Sequence, residues 1–265
     1  MTGYRFLAVD LDPDGIARVT IDKPPINSLD NELYGELGRL LGELETDRAV
    51  RVVVFCSAHE KVFISGADIK DMADYDRRRD PLARKVDTVQ AFFRRLAHFP
   101  KPTIAAICGH ALGGGCEFAL CVDFRVMTEG PARIGQPEVG LGIIPGGGGT
   151  QRLTRLVGRA KATEMLMLGE RLSASEAQVA GLVHWVGRDE ADTMALADDL
   201  ARRLASQAPL ALTAIKKVLN LGTEPGLDAG LEVEREAVLE LLQSEDAVEG
   251  VRAFLEKRPP EWKGR

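Results

Sequence analysis

Glu117 and Glu138 each stand beside glycine-rich backbone, in the segments Ala111-Leu-Gly-Gly-Gly-Cys-Glu117 and Gly135-Gln-Pro-Glu138. Two carboxyls held in different protonation states can take a proton from one atom and deliver one to another without a metal. Gly113-Gly114-Gly115 follows a strand-like run and opens an apolar helical segment. That places bare backbone N–H groups at a helix N-terminus, where the helix dipole is positive and an anion is welcome. Gly114 lacks a Cβ and lets a substrate oxygen come close, although the same glycines also suit close packing against a neighbouring strand. Glu117, three residues beyond Gly114, shares its helix face, and this favours the anion site. Glu138 arrives from a loop that Pro137 stiffens.

Other chemistries fit poorly. Gly146-Gly-Gly-Gly-Thr150 lacks the Lys-Ser/Thr ending of a P-loop, and Gly140-Leu-Gly142-Ile-Ile-Pro-Gly146 misses the G-x-G-x-x-G spacing by one residue. Cys56, Cys108, Cys116 and Cys121 have neither zinc-knuckle nor Cys-x-x-Cys spacing and read as buried reduced thiols, so no metal is expected. His59, His98, His110 and His184 are scattered, and His110 reads as packed or hydrogen-bonded. A formal charge of −6 argues against general affinity for nucleic acid. The Arg77-Arg78-Arg79 run with Arg84 and Lys85 can meet a polyphosphate ligand or simply form a solvated helix face. No apolar stretch is long enough to cross a bilayer, and neither a signal nor a transit segment opens the chain, so a cytoplasmic protein is expected.

The elements that must position these residues follow an α/β rhythm. Strand-like runs at Ala17–Ile21, Val50–Cys56 and Thr103–Ile107 alternate with helical patterns at Leu29–Leu44 and Gly114–Val122, and Thr150–Val157 reads as a helix after the glycine run. From about Asp189 helix follows helix: Ala191–Ser206, Ala208–Leu221, Gly226–Leu242 and Ala247–Glu256. Leu227, Leu231, Val238, Leu241 and Leu242 form a stripe suited to a core or a subunit contact. The chain therefore divides into residues 1–198, which hold the candidate site, and a helical region, 199–265.

A third segment, Ile64-Ser-Gly-Ala-Asp-Ile-Lys70, precedes the two glutamate segments. In this order the three resemble the enoyl-CoA hydratase/isomerase (crotonase) family, from Asp22-Lys-Pro-Pro-Ile-Asn-Ser28 to Ala253-Phe-Leu-Glu-Lys-Arg258. The resemblance implies an α/β fold, a spiral of stacked ββα units with a C-terminal helical region that builds trimers, commonly paired into hexamers. It implies that the N–H groups of Ala67 and Gly114 hold a thioester carbonyl, that Glu138 gives a proton to the α-carbon and that Glu117 holds and activates water. Gly146 matches a position that helps hold the water or the Glu138 loop. Ala67, Asp68 and Ile69 would carry the CoA, with Lys70 nearby, and Phe254 and Lys257 would reach the CoA nucleotide of a neighbouring subunit. Residues between Met72 and Leu96, among them Tyr75, Val86, Val89, Phe92, Phe93 and Leu96, line the acyl pocket or fill the core. Trp262 and Ile134 depart from the aromatic residues common at their positions, away from the chemistry.

The implied reaction is hydration of a trans-2-enoyl-CoA to a 3-hydroxyacyl-CoA, with no cofactor beyond the CoA of the substrate. Many isomerases of the superfamily keep a carboxylate matching Glu138 but lack one at Glu117, so 3,2-enoyl-CoA isomerisation ranks second. A binding protein for acyl-CoA or RNA on the same scaffold is the alternative of a different class.

Overall fold

A computed structural model describes residues 3–68, 82–222 and 226–265. Chain order runs β1 (Leu7–Leu11), β2 (Ile16–Ile21), β3 (Ser28–Leu29), α1 (Asn31–Thr46), β4 (Val52–Ser57), β5 (Val62–Ile64), β6 (Gly66–Ala67) and α2 (Leu82–Ala97). There follow β7 (Thr103–Ile107), β8 (His110–Leu112), α3 (Gly114–Cys121), β9 (Phe124–Thr128), β10 (Ile134–Gly135), a 3-10 turn (Glu138–Leu141) and α4 (Gly149–Met167). The chain closes with β11 (Arg171–Leu172), α5 (Ala174–Val179), β12 (Trp185–Gly187), α6 (Glu190–Ala205), α7 (Pro209–Gly222), α8 (Leu227–Leu241) and α9 (Glu245–Glu256).

The strands sort into a six-stranded sheet, β1-β2-β4-β7-β9-β12, a four-stranded sheet, β11-β10-β8-β5, and the pair β3-β6. β4, β7 and β9 enter the large sheet in parallel, while β5, β8 and β10, each the next strand along the chain, enter the small one. Helices close these units, and the units stack. This is the ββα spiral that the resemblance implies.

Burial follows from the pattern. α1 is capped by Asp30, whose side chain accepts from Leu33 N at 2.9 Å, and it buries Leu33, Leu37, Leu40, Leu41 and Leu44 at helical spacing. β4 is buried on both faces: Val53 and Phe55 enter the main core, while Val52, Val54 and Cys56 enter a second cluster with Ala197, Leu200 and Ala201 of α6. α6 thus covers the outer face of the large sheet, and it runs unbroken across residue 198, where the sequence reading divides the chain. Of the stripe Leu227, Leu231, Val238, Leu241 and Leu242, on α8 and at its C-cap, Leu241 is half-buried and the others are exposed rather than packed into this chain's own core. No helix of the described residues is long and apolar enough to cross a membrane.

α7 is tied to the sheet by an ion pair between buried Lys216 and half-buried Asp123. Lys216 Nζ lies 2.8 Å from Asp123 Oδ2, which also accepts from Thr103 N and Oγ1. Removing Lys216 leaves the half-buried Asp123 carboxylate without its counter-charge, so Lys216→Met is expected to lower stability by about 1–3 kcal/mol. Urea unfolding checks this, and an unchanged midpoint would mean that Asp123 is fully served by Thr103.

Candidate active site

The site begins where β8 ends. Gly113 caps α3 with φ 54° and ψ −122°, a combination that favours glycine, and its N–H donates to Gly135 O at 2.9 Å. That bond continues the parallel pairing of β8 with β10, so the chain three residues beyond Gly135 is carried to the start of α3. A Cβ built on Gly113 would lie 3.0 Å from Glu138 Oε1. Position 113 therefore needs glycine twice, for its backbone and for the carboxylate beside it.

Glu138 follows Pro137 and opens the 3-10 turn Glu138–Leu141. With Gln136 oriented to satisfy both ends of its amide, the amide nitrogen donates to Glu138 Oε1 at 3.0 Å and Oε2 at 3.2 Å. Burial pushes the Glu138 carboxyl up to about 7, its own backbone N–H pulls the other way, and the nearby charge of Glu117 adds to the rise.

Glu117 lies within α3, a helix buried along its whole length. Its Oε1 accepts from Gly147 N at 2.7 Å and Gly149 N at 2.8 Å, and Oε2 has no hydrogen-bond donor among the described residues. Burial raises its pKa, while the two amides and then the Arg152 charge oppose that rise. The wall beside it is aromatic. Phe93 presses so closely on Gly147 that a Cβ there would lie 2.3 Å from its ring, and Tyr34 packs edge-on against Phe92 and Phe93 with ring centroids 5.1 and 6.0 Å away. Phe92, Phe93 and Leu96 are buried, Val86 is exposed, and Tyr75 lies outside the described residues, as do Arg77, Arg78 and Arg79.

Two backbone donors converge in front of the glutamates. Gly114 is the first residue of α3, so its N–H has no acceptor within the helix. β6 pairs in parallel with β3, placing Leu29 opposite Ala67, and Asp68 N donates to Leu29 O at 3.1 Å. In such a ladder the residue directly opposite turns its own N–H to the other side, so Ala67 N–H points away from β3. A Cβ built on Gly114 would lie 3.5 Å from Ala67 N, which brings the two donors to one place.

This corner is held by Asn27, which the sequence reading passed over. Fully buried with φ 50°, it donates to Ile21 O, Ser57 Oγ and Phe63 O and accepts from Lys23 N, joining β2, β4 and the end of β5. Ser28 Oγ then donates to Asp68 Oδ2 at 2.8 Å.

Residues 12–265 match the model of the enoyl-CoA hydratase/isomerase family. The chain belongs to the enoyl-CoA hydratase/isomerase family. It is 43% identical over 248 residues to the 2,3-dehydroadipyl-CoA hydratase of Escherichia coli, covering 93% of this chain and 94% of that one. It is 41% identical to the short-chain-enoyl-CoA hydratase of Clostridium acetobutylicum, covering 94% and 95%. The crystal structure of an enoyl-CoA hydratase from Bacillus anthracis superposes with a TM-score of 0.92 at 35% identity, covering 98% of this chain and all of that one. The crotonase fold is therefore that of this chain.

Within this crotonase scaffold the remaining expected residues lie elsewhere. Ile69 and Lys70 fall outside the described residues. Gly146 offers its carbonyl to Gln90 Nε2 at 3.0 Å, and the amides that hold Glu117 belong instead to Gly147 and Gly149. Phe254, 83% exposed, and Lys257, which ends α9 with φ 53°, stand on the surface. Among the described residues no hydrogen bond or ion pair joins either one to Ala67, Gly114, Glu117 or Glu138. Cys56, Cys116 and Cys121 are free and buried, Cys108 is free and half-buried, and His110 Nδ1 accepts from Arg133 N at 3.0 Å. A cavity of about 1260 Å³ opens between α2, the end of α3, the start of α4 and α7, but its lining includes neither glutamate nor either donor. The convergent groups, not this cavity, mark the site.

Proposed function

We propose that this family member is an enoyl-CoA hydratase, adding water across the 2,3 double bond of a trans-2-enoyl-CoA to give a 3-hydroxyacyl-CoA. The observation that carries this reading is a pair of glutamates, both raised by burial and one near neutrality, beside two convergent backbone N–H groups. Protonating the carbon next to a thioester places negative charge on its oxygen. Ala67 N–H and Gly114 N–H are aimed where that charge develops, each contributing roughly 3 kcal/mol to the transition state. Glu117, anchored through Oε1, keeps Oε2 for a water and takes its proton as the oxygen attacks the β-carbon. Glu138, protonated below about pH 7, delivers a proton to the α-carbon. No cofactor is needed beyond the CoA that the substrate carries.

Asp68 continues the Ala67 backbone toward the CoA, with Ile69 and Lys70 following in sequence. The exposed apolar stripe on α8 supports a homotrimer or homohexamer built by residues 199–265. In that assembly Phe254 and Lys257 reach a neighbour's CoA. We place the protein in the cytoplasm, without a nucleic-acid or membrane partner. The short-chain and dicarboxylic acyl groups in the names of its relatives are the first acyl chains to try.

The test follows loss of the conjugated-thioester ultraviolet absorbance with crotonyl-CoA and longer 2-enoyl-CoAs. Rapid loss is expected, and the best chain length identifies the acyl group. No loss on any of them, with conversion of a 3-enoyl-CoA to its 2-enoyl isomer instead, would replace hydration by isomerisation.

A further inference from the structure

The amides that hold Glu117 come from a run of four glycines, Gly146 to Gly149, which has no side chains of its own to fix it. Its middle is held by Arg152. This residue lies on the first turn of α4, and its Nη1 donates to Gly147 O at 2.8 Å. Gly147 is thus gripped from both sides, with the guanidinium at its carbonyl and the Glu117 carboxylate at its N–H. We propose that Arg152 is a positioning residue for Glu117, locking the Gly147–Gly148 peptide that lies between the two N–H groups, those of Gly147 and Gly149, that present the carboxylate to the water.

The charge of the guanidinium acts in the same direction. Among the described residues, the other titratable groups that face Glu117 are Glu138 from the 3-10 turn, Tyr34 from α1, and Cys116 and Cys121 on its own helix. The tyrosine and both thiols are pushed up by burial and stay neutral, and Glu138 adds only negative charge. Arg152 is the positive group among them, and it pulls against the burial that raises Glu117. It lines the cavity beside α7, whose lining includes neither Ala67 nor Gly114.

This inference rests on the reading of Glu117 as the water-activating carboxylate. The test compares Arg152→Gln, Arg152→Lys, Glu117→Gln and the double variant Glu117→Gln/Arg152→Gln in hydration of crotonyl-CoA, with folding checked by circular dichroism. In Arg152→Gln, kcat is expected to fall about 10–100-fold, as for a misplaced catalytic group, with KM within about threefold. The low-pH limb of kcat moves to higher pH, because a carboxylate that has lost its cation ionises later. Arg152→Lys recovers much of kcat and returns the limb. The double variant is no slower than Glu117→Gln, since both changes act through one group.

A folded Arg152→Gln with wild-type kcat and an unmoved limb would overturn the proposal. So would a double variant slowed by the full single-variant factor. If Glu117→Gln itself hydrates normally, it is the role of Glu117 that falls. Should Arg152→Gln fail to fold, Arg152→Met, which keeps the packing of the stem, carries the same comparison.

Discussion

Glu138→Gln is expected to slow hydration of a 2-enoyl-CoA by about 10²–10⁴-fold, the range for losing a positioned general acid. Glutamine preserves size and still accepts from Gln136, so the variant loses the transferable proton and little else. KM should therefore change far less than kcat. The pH dependence has a definite sign. Burial pushes Glu138 up to about 7 and the acid form delivers the proton, so kcat/KM of the wild type should fall as pH rises through about 7.

Stability shifts with pH in the same direction. A carboxyl whose folded pKa lies above its ordinary value of 4.5 favours the fold fully below that value and loses the contribution as pH rises through about 7. Glu138→Gln should then melt higher than wild type above pH 7, with the excess shrinking as pH falls toward 4.5. Initial rates across pH and thermal melts at two pH values check both halves. A folded variant that hydrates at near wild-type rate would remove Glu138 from the mechanism.

The long elements were legible in the sequence because their signals are local. Thr103–Ile107 is found at its expected bounds, and the helices after residue 189 start and stop within two residues of expectation, since periodic apolar residues and caps such as Asp189 and Ser244 mark them. The two-residue strands β3, β6, β10 and β11 left no such trace. They exist only as partners of distant strands, yet β6 and β10 are the ones that deliver Ala67 and Glu138. The motif residues Glu117, Glu138, Ala67 and Gly114 were visible through the family resemblance, and the structure brings them together. Which amides hold Glu117 was not visible, because an amide of Gly147 carries no side-chain signal. Its direction depends on turns such as Gly148 at φ 105°. Gln136 lay inside the Gly135-Gln-Pro-Glu138 motif, and a buried amide two residues before an acid was a signal that could have been read.

Gly115→Ala should cost both activity and stability, although it adds a single methyl group. The start of α3 rests directly on the end of β5, and a Cβ built on Gly115 would lie 2.0 Å from Ile64 O and 2.8 Å from Ile64 C. Both contacts are with backbone, so no side chain can rotate away. Either α3 or β5 must shift by roughly 1 Å, and overpacking of this kind costs about 1–3 kcal/mol. A shift of α3 carries Gly114 N–H with it, and a shift of β5 pulls on Gly66–Ala67, which follows it. In either case one donor moves relative to the other, so the two no longer converge. Misplacement by about 1 Å is worth about 10²-fold in rate, and kcat is expected to drop by that factor with a lowered Tm. Gly35→Ala serves as the control, because nothing lies within 4 Å of its Cβ, and alanine within α1 should stabilise by about 0.5–1 kcal/mol. If Gly115→Ala matches wild type in both Tm and kcat, the close seating of α3 on β5 is not what aligns the oxyanion donors.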